Sequence, residues 1–139
     1  MRRYGQAFSF RARELKMTAT KPAIEQPGNL RALAIMTIVS GALNLVVGLS
    51  ATFSLAITLV GLICTPITIL PAILGVFEIL YGAKLLTNPP QPVNPSQTIA
   101  ILEIITFLYL NVISGVVGIL ALFFYNDPEV QKYFETINS

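Results

Sequence analysis

Glu78 and Glu103 are the side chains of this sequence best placed to do chemistry. Each is a carboxylate inside an apolar run, in Gly75-Val76-Phe77-Glu78-Ile79-Leu80 and in Ile101-Leu102-Glu103-Ile104-Ile105. A charge at the centre of a bilayer costs from about 2.5 kcal/mol upward, so such residues face a protein interior, a water-filled cavity or a partner. If the two meet, they can share a proton or a small cation, which is the chemistry of a relay or an ion site. If they do not, Arg31, Lys84, lipid headgroup amines or a basic residue of a neighbouring subunit can satisfy each charge structurally. Asn44 and Asn111 are the other buried polar side chains of note and complete a candidate intramembrane polar site.

Composition narrows the chemistry further. Histidine is absent, which removes the usual haem ligand and the commonest zinc and proton-relay residue. The single cysteine, Cys64, permits no intrachain disulfide and reads as a packing residue. There is no Gly-rich phosphate loop, no Cys/His metal spacing and no nucleophile elbow, so no enzyme, resident metal or other cofactor is expected. Tyr4, Phe8 and Phe10 interleave with Arg2, Arg3, Arg11 and Arg13, a mixture suited to anionic lipid rather than to nucleic acid.

The elements that must position these residues are membrane spans. Leu30 to Leu86 is a stretch of 57 residues with three charged side chains, Arg31, Glu78 and Lys84, and a second apolar run covers Thr98 to Tyr125. A bilayer core takes about 20 apolar residues per helical crossing, so the first run holds two crossings and the second one. The fold class is therefore all-α, an integral membrane bundle of three spans at about 31–56, 65–86 and 97–125, which make up a membrane domain over 30–125. Thr65 and Pro66 are expected to open the second span, with Pro71 kinking it. Thr87 to Pro95, with four prolines, makes a stiff connection. Residues 1–29 form a basic tail with six of the nine basic residues, which the positive-inside rule keeps in the cytoplasm. Met17 offers a second start that would leave every span intact. Three crossings put the C-terminus outside. On this count Glu78 lies about 12 Å and Glu103 about 9 Å from the same cytoplasmic surface.

Small residues mark the helix faces that pack. Ser40, Asn44, Gly48 and Thr52 recur every four residues with Gly41 beside them, Gly75 and Gly82 line the second span, and Gly115 and Gly118 follow Asn111 on the third. Such stripes let helix backbones approach closely. With tryptophan absent, Tyr4, Tyr81, Tyr109, Tyr125 and Tyr133 are left to form interfacial belts. The segment 126–139 opens with Asp127-Pro128-Glu129, a helix start, and spaces Val130, Tyr133, Phe134 and Ile137 on one stripe. This predicts an amphipathic surface helix that docks on lipid or on a partner.

The basic tail, the Gly-rich spans with Gly75-Val76-Phe77-Glu78, and the ending Phe123-Phe124-Tyr125-Asn126-Asp127-Pro128-Glu129-Val130 resemble a diffuse group of small uncharacterised bacterial multi-span membrane proteins, over roughly Leu30 to Phe134. The resemblance implies a location in the bacterial cytoplasmic membrane. Some members of that group are read as having four spans. The expected role is that of a non-catalytic accessory or structural subunit of a larger membrane complex, respiratory or photosynthetic, with lipid and other membrane subunits as partners. The alternative is an oligomeric channel or proton/ion carrier that uses Glu78 and Glu103.

Overall fold

A computed structural model describes residues 24–109 and 111–139. Readings of residues 1–23, including the tail aromatics and Met17, lie outside the described residues, as do those of the Cys64 and Tyr109 side chains. Among the described residues the regular structure is entirely helical. In chain order the helices are α1 (Gly28–Ala56), α2 (Leu59–Thr68), α3 (Leu70–Leu85), α4 (Gln97–Ile105), α5 (Val112–Tyr125) and α6 (Pro128–Asn138), with a 3-10 turn at Thr106–Tyr109 between α4 and α5.

Helix α1 has no internal proline and runs 29 residues, about 43 Å and enough to cross a bilayer core. The chain turns at Ile57 and Thr58 and returns through α2 and α3. The prolines act differently from expectation. Helix α2 starts at Leu59 and passes through Pro66, while Pro71 sits in the first turn of α3, where its missing N–H costs least. Hydrogen bonds from Ile69 N to Thr65 O and from Ile73 N to Ile69 O carry the helix across the junction, and the apolar stretch Thr65–Leu85 is long enough to span a membrane.

Helices α1 and α3 pack as a close antiparallel pair along the glycine stripes. A Cβ at Gly41 would lie 2.6 Å from Gly75 O, one at Gly48 2.5 Å from Ala72 N, and one at Gly82 2.8 Å from Ala34 O. At Gly75 the nearest atom would be Gly41 O. Backbones this close admit no side chain on the facing surface.

The expected third crossing is not continuous. Helix α4 begins at Ser96, whose Oγ accepts from Ile99 N, and stops at Ile105 after nine residues. The chain turns through the 3-10 segment, and α5 restarts under an Asn111 cap whose Oδ1 accepts from Ser114 N. The arms lie side by side and antiparallel, with Gly118 against Ala100, Glu103 and Ile104, and Gly115 against Phe107. Arms of nine and fourteen residues are about 14 and 21 Å long, each shorter than a bilayer core of about 30 Å. Residues 97–125 therefore form a half-height hairpin. Its tip reaches the level of Asn44, sixteen residues into α1, or about 24 Å from the start of that helix.

The fold-back moves the C-terminal helix. Two helices are long and apolar enough to cross a membrane, and α5 with α6 qualifies only as a pair bent by 77°. Helix α6 lies across the end of the bundle where α1 begins. Asn29 Nδ2 donates to Asp127 Oδ2, and Asn138 Nδ2 donates to Val93 O and Asn94 Oδ1. The stripe Val130, Tyr133, Phe134 and Ile137, expected to dock on lipid or a partner, is instead buried in this chain's own core with Leu30, Leu33 and Leu85. That core offers the apolar stripe a dry surface within the same chain, so no external partner is required to cover it. The C-terminal helix and the start of α1 thus share one end of the bundle, not opposite ends.

Polarity runs inside out. Val39, Val46, Leu49, Phe53, Phe77, Leu80, Ile119 and Phe123 are exposed, whereas Ser40, Asn44, Glu78, Glu103 and Ser114 are buried. A lipid-facing bundle has this distribution, since large apolar side chains meet hydrocarbon and polar groups must be satisfied within the protein.

Candidate functional site

The buried polar side chains converge where the hairpin tip meets the α1–α3 pair. Glu78 on α3 is fully buried, with its Cβ against the bare backbone of Gly41. Asn44 on α1 donates from Nδ2 to both carboxylate oxygens, at 2.8 and 3.0 Å, and lies 3.0 Å from Ser114 Oγ on α5. Its Oδ1 accepts from Asn111 Nδ2. One amide therefore ties α1, α3 and the hairpin together, and both of its ends are used. Ser40, one turn before Asn44, lies beside the Glu78 carboxylate, yet its Oγ makes no hydrogen bond of good geometry.

Glu103 on α4 is 1% exposed and within electrostatic reach of Glu78. Its Oε1 has no hydrogen-bond partner. Below it Thr106 Oγ1 donates to the Glu103 carbonyl at 2.6 Å, which closes the end of α4. Arg31 and Lys84, the two cations that could have reached the carboxylates, are exposed.

Both carboxylates are seated by the same local construction. Gly41 faces Gly75 O, Glu78 Cβ and Ile79 Cγ1, while Gly118 faces Ala100 O, Glu103 Cβ and Ile104 Cγ1. The contact of Ile38 with Gly82 recurs as that of Gly115 with Phe107, with the glycine on the other partner. In each pair a glycine helix carries a glutamate helix, but the chain runs through them in opposite directions. The α1–α3 and α5–α4 pairs are thus related as if about a two-fold axis across the bundle, and Glu78 and Glu103 occupy equivalent positions.

The structure brings together Glu78, Glu103, Asn44, Asn111 and Ser40. Gly41, Gly75 and Gly118 form the floor beneath the carboxylates, while Gly48, Gly82 and Gly115 lie outside the cluster as packing contacts. Ser114 was not anticipated as a member. Ser114 is legible in hindsight, three residues after a capping asparagine. Tyr81 and Tyr125 turn inward rather than forming an interfacial belt. Tyr125 Oη donates to Tyr81 Oη at 3.1 Å, and Tyr81 Oη donates to Asn94 O and accepts from Ser96 N.

Two carboxylates, two amides and two serine hydroxyls make a small hard-oxygen site. No group of three or more His, Cys, Asp or Glu side chains meets among the described residues, so the donor set suits a proton or a monovalent cation better than a multivalent metal. Compared with known proteins, the chain matches no protein-family model, no curated protein and no solved structure.

Proposed function

We propose that this protein is a non-enzymatic membrane carrier or channel subunit that binds and releases a proton or a small monovalent cation at Glu78 and Glu103. The observation that carries the reading is the buried pair of acids with no basic partner among the described residues, one of which has an oxygen without a hydrogen bond. Two uncompensated negative charges in low dielectric are too costly to persist, so a positive charge must accompany them. The inverted pairing of helices supports the same reading, since transporters built this way hold their sites near the midplane at the interface of the two halves. The basic segment over residues 1–29 supports a bacterial cytoplasmic-membrane orientation with the shared end of the bundle inside.

Proton and sodium flux into proteoliposomes made with purified full-length protein tests this. Glu78→Gln with Glu103→Gln is expected to lower flux at least tenfold, and unchanged flux rejects the carrier.

A second reading, an accessory subunit of a larger membrane complex, is favoured by a separate feature. Because the hairpin stops halfway, an apolar recess of about 210 Å³ opens between α3 and α4, lined by Leu70, Pro71, Phe77, Leu102, Ile105 and Thr106. A neighbouring helix could fill it. Native electrophoresis of gently solubilised membranes would show this role as a high-mass band, and migration only as a free monomer would exclude it.

A further inference from the structure

The hydrogen bonds at the hairpin tip fix which way each amide points. Ser114 N–H, in the first turn of α5, donates to Asn111 Oδ1 at 3.2 Å. A backbone N–H can only donate, so the other end of Asn111 is its amide nitrogen, which donates to Asn44 Oδ1. The far end of Asn44 is then a nitrogen as well. Its hydrogens go to Ser114 Oγ, at 3.0 Å, and to the Glu78 carboxylate, whose oxygens lie at 2.8 and 3.0 Å. One fixed donor thus sets the polarity of a chain that ends on Glu78, and that end requires an acceptor. A carboxylate offers both oxygens to Asn44, whereas a neutral carboxyl would turn one of them into a hydroxyl that the Asn44 nitrogen cannot accept from. Among the described residues no such chain reaches Glu103. Its Oε1 is buried without a hydrogen bond, and its Cβ stands over Gly118, one turn along α5 from Ser114.

We propose that Asn111 is a positioning residue that, acting through Asn44, keeps Glu78 as the standing carboxylate of the pair and leaves Glu103 as the acid that takes up and gives back the proton. The inference rests on the carrier reading above and gives each acid a different task. Two buried carboxylates need at least one accompanying positive charge. The charged form of Glu78 already holds hydrogen bonds that its neutral form would lose in part, so the proton goes to Glu103. Uptake forms one O–H bond at a Glu103 oxygen as one breaks in hydronium, and the pair is left with a single negative charge, on Glu78. Release reverses both changes. Facing the two acids are Ser40 and Asn44 from α1 and Ser114 from α5, which do not titrate, while the phenols Tyr81 of α3 and Tyr125 of α5 lie within electrostatic reach of Glu103. Because Asn111 belongs to the hairpin and Glu78 to α3, seating of the hairpin tip and the charge on Glu78 support each other.

Infrared spectroscopy of the full chain in phosphatidylethanolamine/phosphatidylglycerol vesicles, in sodium-free buffer at mildly alkaline pH, tests this division of tasks through the protonated carboxyl stretch. The wild type is expected to show one such band, lost in Glu103→Gln and retained in Glu78→Gln. Asn111→Ser keeps a cap for α5 but is too short to reach Asn44. It should add a second band, which is lost again when Glu78→Gln is combined with it. A wild-type band that disappears in Glu78→Gln and survives in Glu103→Gln overturns the assignment, as does the absence of any band. An unchanged spectrum in folded Asn111→Ser overturns the role of Asn111. Proton flux into the same vesicles separates this inference from the reading beneath it. Flux unchanged in Glu78→Gln with Glu103→Gln rejects the carrier itself, whereas flux lost there with the band on Glu78 rejects the division of tasks alone.

Discussion

Asn44 is the residue on which the interior depends most. Its amide meets Glu78 on α3 and both Ser114 and the capping Asn111 of α5. Truncating it leaves a buried carboxylate and a half-buried amide donor without their partner, and the penalty is the desolvation of the orphaned groups rather than the modest net worth of one bond. Asn44→Leu is expected to destabilise the protein by about 2–3 kcal/mol, read as a fall in the unfolding midpoint in detergent. The two acids should respond unequally to neutralisation. Glu78 already receives two hydrogen bonds from Asn44, of which a glutamine can keep one, whereas Glu103 carries a buried oxygen with no partner. Glu103→Gln removes a buried acid and breaks no hydrogen bond at its side chain. It should leave the unfolding midpoint unchanged or raised, while Glu78→Gln lowers it by about 1 kcal/mol equivalent. A larger fall in Glu103→Gln than in Glu78→Gln would contradict this assignment.

At the scale of the elements, the glutamate-over-glycine crossing is the unit of construction, and it is used twice. Gly41→Ala and Gly118→Ala would each place a methyl within 2.6 Å of a facing carbonyl oxygen, and overpacking of this kind costs about 1–3 kcal/mol. Gly28→Ala meets nothing within 4 Å and should be neutral in the same thermal-unfolding series. Equal losses at all three positions would remove the special status of the crossings. The sequence makes the stripes legible, because small residues at four- and seven-residue spacing have few other uses in a membrane helix. It also exposes the two acids, since charge in an apolar run stands out. It hides the fold-back. The stretch from Thr98 to Tyr125 is apolar on both sides of the turn, and hydropathy does not distinguish one helix of that length from two short ones. The local signals are Thr106, which bonds back to the Glu103 carbonyl, and Asn111, which caps α5, and either is tolerated mid-span. The C-terminal stripe was legible as amphipathic, but periodicity carries no information about which apolar surface covers it. Here that surface is the bundle's own end, made available only because the hairpin returns.

At the scale of the whole molecule, the hairpin decides the topology. With one continuous third span, the segment after Tyr125 would lie across the membrane from the start of α1. With the fold-back, Asp127 bonds Asn29, and Asn138 bonds the connection at Val93 and Asn94, so three segments distant in sequence meet at one surface. The difference can be read with single cysteines in a Cys64→Ala background. Glu25 and Glu135 are exposed at the shared end, and Thr58 is exposed at the α1–α2 turn. A membrane-impermeant maleimide added to sealed, oriented vesicles is expected to label Glu25→Cys and Glu135→Cys from the same side. Thr58→Cys should react only from the other, with at least tenfold less labelling from the wrong side in each case. The outcome bears on mechanism as well as topology. A half-height hairpin brings Asn111 and Ser114 onto Asn44 and Glu103 within electrostatic reach of Glu78, whereas a full third span would leave no tip at Asn44. Labelling of Glu25→Cys and Glu135→Cys from opposite sides would therefore remove the hairpin and the inverted pairing together.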